Sequence, residues 1–136
     1  MQYVDSSALV KRYVEEPDSH VAVRLLAADP DWVTAAHTEV EVRRTLSVRL
    51  ATDVAALKRV QAAFQHDWLR TAVVQLDSET CRVAAELAEL TMMRALDALH
   101  LAALKRAGAP VVQLLTFDVR QARTARGLGW KVVGAE

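Results

Sequence analysis

The strongest constraint on the fold is an alternation of short, β-branched runs with longer segments of helical spacing, repeated along the whole chain. Five runs predict strands: Gln2–Asp5, Trp32–Thr34, Val73–Leu76, Val111–Leu115 and Lys131–Val133. Seven segments predict helices: Ala8–Val14, Ser19–Ala28, His37–Leu50, Val54–Trp68, Ser78–Met92, Leu96–Leu104 and Arg120–Arg126. Strands separated by helices favour a mostly parallel sheet of four to five short strands with helices on both faces. The predicted fold is therefore a three-layer α/β/α domain.

Length and composition limit the class of protein. The 136 residues are 52% hydrophobic and 25% charged, which fits one globular domain spanning residues 1–136. The single cysteine, Cys81, excludes an intrachain disulfide and indicates a reducing, cytoplasmic compartment. Charged residues interrupt every apolar run, and the N-terminus lacks the features of a signal peptide. Neither a membrane location nor export is expected.

The charge balance leaves a nucleic-acid partner open. Lys and Arg together number 17, as do Asp and Glu, but recognition depends on where charge lies rather than on its sum. Arginine accounts for 13 of the 17 basic residues, and guanidinium groups favour planar contacts with phosphate or carboxylate. Two arginine groups are candidates for an RNA path or for ordinary solvated helix faces: Arg120, Arg123 and Arg126, and Arg43, Arg44 and Arg49.

Capping signals mark where several helices begin and end. Ser6 or Ser7 is predicted to cap the first helix, and Asp77 or Ser78 the fifth. The sixth helix is predicted to end at the segment Gly108–Pro110, where glycine and proline interrupt helical structure.

Three aspartates occupy positions where an α/β sheet places its chemistry. Asp5 ends the first predicted strand, Asp118 follows the fourth closely, and Asp97 opens the strongly apolar sixth helix. Each alone is consistent with a helix cap or with complementing a helix dipole. Together they predict a negative cleft, in which carboxylates repel unless they are protonated or bridged by cations. Carboxylate oxygens without neighbouring Cys or a His cluster favour Mg²⁺ or Mn²⁺ over zinc.

A fourth acid comes from the third helix, but its spacing leaves two candidates. Glu39 and Glu41 are two residues apart and point to nearly opposite sides of a helix, so only one can face the cleft. The chain contains no nucleophile elbow, no glycine-rich phosphate loop and no metalloprotease histidine pair. A mechanism based on a Ser or Cys nucleophile is therefore disfavoured.

Four segments resemble the signature segments of PIN-domain ribonucleases, in particular the VapC-type toxins of toxin–antitoxin pairs. They are Tyr3–Lys11 (YVDSSALVK), Val40–Val42 with Arg44, Leu96–Ala102 (LDALHLA) and Thr116–Asp118 (TFD). The resemblance covers essentially the whole chain, in order and at the usual spacing, and so identifies a PIN-like fold.

The resemblance implies an acidic quartet, with Glu41 rather than Glu39 in the family's acidic position. The quartet is expected to hold one or two Mg²⁺ ions, or Mn²⁺ in their place. It comprises Asp5, Glu41, Asp97 and Asp118. It implies an endoribonuclease toxin that hydrolyses RNA phosphodiester bonds with a metal-activated water. Ser7, Thr116 and His100 are expected to support the metal-binding residues. A cognate VapB-type antitoxin and a homodimer are also implied.

The sequence departs from the family pattern at two positions and leaves rival functions open. His37 stands where an apolar residue is more usual, and Glu39 adds a charge near the cleft rim. A phosphotransfer receiver is disfavoured because no second acid closely follows Asp5. A non-catalytic RNA- or protein-binding module that keeps the fold is the main alternative. The two middle helices offer apolar residues for a partner groove or homodimer surface: Leu46, Leu50, Leu57, Val60, Phe64 and Trp68.

Overall fold

A computed structural model describes residues 1–136 as five short strands and seven helices. The strands are β1 (Gln2–Val4), β2 (Trp32–Ala35), β3 (Ala72–Val74), β4 (Leu114–Thr116) and β5 (Val132–Gly134). The helices are α1 (Ser6–Tyr13), α2 (Ser19–Ala28), α3 (Thr38–Arg49), α4 (Val54–Trp68), α5 (Ser78–Thr91), α6 (Ala95–Ala107) and α7 (Val119–Gly127). None of the helices combines the length and the apolar run that a membrane crossing requires.

The five strands form one sheet in the order β3-β2-β1-β4-β5, and every neighbouring pair is parallel. The predicted three-layer α/β/α fold is confirmed, and the sheet is wholly rather than mostly parallel. Because β1 and β4 are neighbours at the centre, the residues that follow them meet at the same edge of the sheet. This edge carries Asp5 and Asp118, two of the acids that the sequence singled out.

Side chains of consecutive strand residues point to opposite faces of the sheet and so build two cores. Tyr3 and Leu114 belong to the core beneath α6 and α7, whereas Val4 and Leu115 belong to the core beneath the first four helices. All four side chains are fully buried. Strands covered on both faces have no polar face, which is why their sequences are continuous apolar runs.

The apolar residues of α3 and α4 are largely used within the second core. Leu46 and Phe64 are buried there, and Leu57, Val60 and Trp68 pack against them. The partner surface expected from these residues is therefore mostly filled by the chain's own core. The large apolar side chains that α3 and α4 do expose are different residues: Val40, Val48 and Val54.

Two local predictions were wrong. The fourth strand begins at Leu114 rather than Val111, because the amide of Val111 bonds back to Gly108 in a turn. The cap of α1 is Asp5 rather than Ser6 or Ser7, since the Asp5 side chain accepts from the amide of Ala8. By contrast, Asp77 caps α5 and Gly108 follows the end of α6 at φ +76°, both as predicted.

Strand β5 approaches β4 very closely at Gly134. This glycine has φ +102° and pairs with Thr116 in the sheet register. A Cβ at this position would lie 2.3 Å from the carbonyl oxygen of Thr116, a separation that side chains do not tolerate. Position 134 therefore requires glycine both for its backbone conformation and for the close approach.

Candidate active site

Asp5 lies at the end of the central strand β1 and is almost fully enclosed, with 3% of its surface exposed. One carboxylate oxygen, Oδ1, accepts from the amide of Ala8 at 3.2 Å and from the Ser7 hydroxyl at 2.7 Å. The other, Oδ2, accepts from the Thr116 hydroxyl at 2.8 Å. Burial raises the pKa of Asp5, and its hydrogen bonds and the nearby His100 only partly offset that effect.

Two small hydroxyls tie the end of β1 to the end of β4. Thr116 Oγ1, which donates to Asp5, also accepts from the backbone amide of Asp118 at 3.1 Å. Ser7 Oγ, which donates to the other Asp5 oxygen, accepts from the amide of Phe117 at 2.8 Å. Ser7 and Thr116 thus hold the Asp5 carboxylate and position the segment that carries Asp118.

Asp118 and Asp97 are joined by an arginine. Asp118 caps α7 through Oδ1, which accepts from the amides of Arg120 and Gln121. Its second oxygen, Oδ2, accepts from an Arg94 guanidinium nitrogen at 3.2 Å, and Arg94 Nε donates to Asp97 Oδ2 at 2.9 Å. The Arg94 side chain remains 63% exposed. The structure therefore brings the two acids to the same cation at the mouth of the cleft.

Sequence reasoning did not identify Arg94 as a residue of the site, although its position indicates one of its two acidic partners. Arg94 immediately precedes α6 and lies three residues before Asp97, a spacing that places two side chains on the same helix face. That spacing indicates the pair with Asp97. It gives no information about Asp118, which comes from a distant part of the chain.

Glu41 is the glutamate of α3 that faces the cleft. Its Oε1 lies 2.7 Å from Nε2 of His100, whereas Glu39 pairs with Arg43 at the surface. Burial tends to raise the pKa of Glu41, but the hydrogen bond and charge of His100 outweigh that effect and lower it. Periodicity left Glu39 and Glu41 open, and the tertiary contact selects Glu41.

His100 is oriented from behind by Tyr3. The Tyr3 hydroxyl lies 2.9 Å from Nδ1 of His100, and both side chains are buried. Because a carboxylate only accepts, Nε2 carries the proton donated to Glu41, and the Tyr3 hydroxyl holds the ring at Nδ1. Burial, and next the charge of Asp5, raises the pKa of Tyr3 well above its ordinary value, so this hydroxyl keeps its proton. His100 is therefore a buried histidine that also contacts the predicted site.

His37 packs against His100, with ring centroids 4.2 Å apart. It comes immediately before α3, where it is 8% exposed, and its Nε2 lies 3.6 Å from Glu41 Oε1. Burial, followed by the charge of His100, lowers the pKa of His37 to about 4. The position at which the sequence departs from its family thus lies against Glu41.

Three of the four predicted acids belong to one hydrogen-bonded network. Hydrogen bonds run from Asp5 through Thr116 to Asp118, and from Asp118 through Arg94 to Asp97. Glu41 is bonded instead to His100, which lies one turn beyond Asp97 on α6. Beside the network is an open groove of about 700 Å³ whose lining includes Ser6, Ser7, Lys11, Phe117 and Asp118.

The two predicted arginine groups differ in their partners. In the first group, Arg120 and Arg123 are exposed on α7, next to Asp118, and form no ion pair. In the second, Arg43 pairs with Glu39 and Arg49 with Glu16. Of these six arginines, Arg44, Arg120, Arg123 and Arg126 have no acidic partner, so both α3 and α7 offer positive charge to an anionic ligand.

Comparison with known proteins agrees with this fold. The PIN domain family matches residues 2–127, and the chain belongs to that family. It is 36% identical over 132 residues to ribonuclease VapC46 of Mycobacterium tuberculosis, covering 96% of this chain and 95% of that protein. It is 31% identical over 137 residues to ribonuclease VapC35 of the same species, covering 98% and 96%. The predicted resemblance to VapC-type PIN proteins is confirmed.

Solved structures share the fold at low sequence identity. VapC20 of Mycobacterium tuberculosis, described as a sarcin–ricin loop cleaving toxin, superposes with a TM-score of 0.72 at 19% identity, covering 96% of both chains. A chain of a toxin–antitoxin complex from Klebsiella pneumoniae gives a TM-score of 0.71 at 16% identity, covering 98% of this chain and 97% of that one. At these identities the likeness is one of fold.

Proposed function

We propose that this chain is an endoribonuclease that uses Mg²⁺, or Mn²⁺ in its place, and acts as the toxin of a toxin–antitoxin pair. The observation that carries the proposal is that hydrogen bonds through Thr116 and Arg94 link Asp5, Asp118 and Asp97, while Glu41 is bonded to His100 on the same helix as Asp97. Membership of the PIN-domain family and the ribonuclease names of its relatives support the same activity.

The donor set fits a hard divalent cation. Asp5 is buried and accepts three hydrogen bonds, yet no cationic side chain pairs with it. A buried carboxylate without a cation is unfavourable, and oxygen donors are those that Mg²⁺ prefers. Asp5, Glu41, Asp97 and Asp118 would hold the ion. When bound, it would supply Lewis acidity for attack of water on the phosphodiester and offset the negative charge that develops.

The chain's own residues keep the acids in place for this chemistry. Ser7 and Thr116 donate to opposite oxygens of Asp5, so its carboxylate has a defined orientation. His100 fixes Oε1 of Glu41 and is itself held by Tyr3. Groups that orient ligands in this manner commonly change metal affinity or activity by about 10–100-fold when they are removed.

We propose that RNA reaches the acids along the groove beside Asp118, which is the one acid of the four in its lining. Arg120 and Arg123 lie exposed next to Asp118 and offer guanidinium groups to phosphates. Lys11 lines the groove and lies 5.1 Å from the centre of the Phe117 ring. We propose that these residues contact the substrate backbone while the acids face the bond that is cleaved.

The proposed partners follow from the relatives and from the surface. A toxin–antitoxin complex among the similar structures supports a cognate VapB-type antitoxin. Three exposed apolar side chains where α5 ends and α6 begins support a homodimer contact: Leu90, Met92 and Leu96. Light scattering of the free chain and of its complex would measure both assemblies.

The test is cleavage of total cellular RNA by purified, partner-free protein with Mg²⁺ or Mn²⁺, with cut ends mapped by sequencing. We expect a discrete cut that EDTA and Asp5→Asn both abolish. Asp77→Asn is the matched control, because Asp77 also caps a helix after a strand but lies outside the network. If folded wild-type protein makes no cut, the chain is instead a non-catalytic RNA- or protein-binding module.

A further inference from the structure

Two histidines and one glutamate, which bind metals through nitrogen and oxygen respectively, lie close together beside the acidic cleft. One potential ligand atom from each of His37, Glu41 and His100 lies within 4.8 Å of the others. His37 and Glu41 are four residues apart at the start of α3 and therefore share a helix face, while His100 comes from the middle of α6. The tertiary fold, rather than local sequence, assembles this group.

His37 has bonding capacity that the protein leaves unused. Both of its ring nitrogens are buried without a hydrogen-bond partner, although the residue is only 8% exposed. Buried polar groups in folded proteins almost always have a partner, and each exception requires an explanation. A cation shared with its neighbours would satisfy the nitrogen that faces Glu41.

The spacing and support of the three groups suit a transition metal. Nε2 of His100 is 2.7 Å from Glu41 Oε1, and Nε2 of His37 is 3.6 Å from the same oxygen. Two ligand atoms on one tetrahedral Zn²⁺ lie roughly 3.4 Å apart when each bond is about 2.0–2.2 Å. A cation bound at Nε2 of His100 would replace the proton donated to Glu41 and widen that 2.7 Å contact. The ring proton would then lie on Nδ1 and be donated to the Tyr3 hydroxyl, the kind of outer contact that orients metal-binding histidines.

We propose that His37, Glu41 and His100 form a binding site for Zn²⁺ or a similar transition-metal cation. Two imidazoles and one carboxylate leave a fourth position open and select against Mg²⁺, which prefers six oxygen ligands. Because Glu41 belongs to this site and to the acidic quartet, Zn²⁺ occupancy withdraws it from the quartet. This consequence rests on the proposed nuclease function, so Zn²⁺ would inhibit Mg²⁺-dependent cleavage.

The binding test uses Co²⁺ as a spectroscopic probe on the metal-free full-length protein, followed by displacement with Zn²⁺. We expect one equivalent with a visible spectrum typical of nitrogen and oxygen ligands, displaced by Zn²⁺ but not by equimolar Mg²⁺. His37→Leu should weaken Zn²⁺ binding by at least about tenfold. Asp118→Asn keeps the α7 cap and alters only the acidic quartet, so it should bind Zn²⁺ as wild type does.

Equal Zn²⁺ affinity in wild type and His37→Leu would overturn the proposal, as would a loss of Zn²⁺ binding in Asp118→Asn. A measurement on the wild type alone does not depend on whether a variant folds. We expect Zn²⁺ to shift the imidazole NMR signals of His37 and His100. Unchanged signals would also overturn the proposal. Because Zn²⁺ binding is measured without RNA, its result does not depend on whether the protein cleaves RNA. In the cleavage assay, His37→Leu should remain active with Mg²⁺ and lose its sensitivity to Zn²⁺.

Discussion

Asp5 and Asp77 occupy the same local motif but have opposite electrostatic surroundings. Each closely follows a strand, precedes a serine, and caps the next helix by accepting from the amide three residues later. Burial raises the pKa of Asp5. At Asp77, hydrogen bonds from the Thr80 amide and from Arg106 lower the pKa to about 2. With the same sequence motif, the surroundings therefore stabilise the anionic form of Asp77 but not that of Asp5.

The difference arises from the position of each strand in the sheet. Strand β1 is central, so Asp5 is covered on both sides and meets the residues that follow β4. Strand β3 is an edge strand, and Asp77 lies in solvent beside Arg106. Burial without a cation is unfavourable for folding but leaves a carboxylate ready to bind one, whereas an exposed ion pair contributes to the fold and has no further role.

The largest expected effect is on the rate of RNA cleavage, and it distinguishes Asp5 from Asp77. Asp5→Asn should reduce cleavage by at least about 100-fold, beyond the loss typical of groups that only orient a metal ligand. Asp77→Asn should cleave at the wild-type rate, since asparagine preserves the helix cap. Single-turnover cleavage of a mapped RNA substrate measures both rates. Equal activity of the two variants would remove the functional distinction between the acids.

A smaller effect is expected from the hydroxyl that supports Asp5. Thr116→Val removes the donor to Asp5 Oδ2 while keeping a β-branched residue in β4, and should reduce cleavage by about 10–100-fold. Thr116→Ser restores the hydroxyl and should recover most of the activity. If valine and serine behave alike, the hydrogen bond has no part in orienting the carboxylate.

The stability of Asp5→Asn should change in the direction opposite to its activity. Because the pKa of Asp5 is raised in the folded chain, its ionised form destabilises the fold at pH values above the unfolded pKa of about 3.9. Asparagine removes that charge, so the free energy of unfolding at pH 7 without added metal should rise. Urea unfolding measures it. A clear loss of stability would show that burial does not disfavour the Asp5 anion.

The smallest expected effect is on the decrease in the free energy of unfolding at acidic pH. The pKa of Asp77 is lowered to about 2, so its contribution is present above the unfolded pKa of about 3.9 and is lost as pH falls towards 2. Asp77→Asn should therefore flatten the decline in unfolding free energy over this interval. Thermal unfolding of both proteins across the interval gives the comparison, and parallel curves would assign the decline to other carboxylates.

Sequence reasoning recovered the fold because strand and helix periods are local properties. It placed Asp5 and Asp118 at the same edge of the sheet, since the residues after parallel strands share one edge, and it placed Asp97 at the start of the sixth helix. It did not choose Glu41 from spacing, because the choice depends on His100, 59 residues away. The bridging role of Arg94 was hidden for the same reason, as its second partner, Asp118, is 24 residues distant.

The requirement for glycine at position 134 affects how a genetic screen of this protein should be interpreted. Any larger side chain would push β5 away from the Thr116 carbonyl, and Thr116 carries the hydroxyl that holds Asp5. Substitutions at Gly134 would therefore abolish toxicity in a survival selection although glycine has no functional group. A map of inactivating mutations would include a residue with no side chain to offer to RNA or metal, and only a separate measurement of folding would distinguish it from the acids.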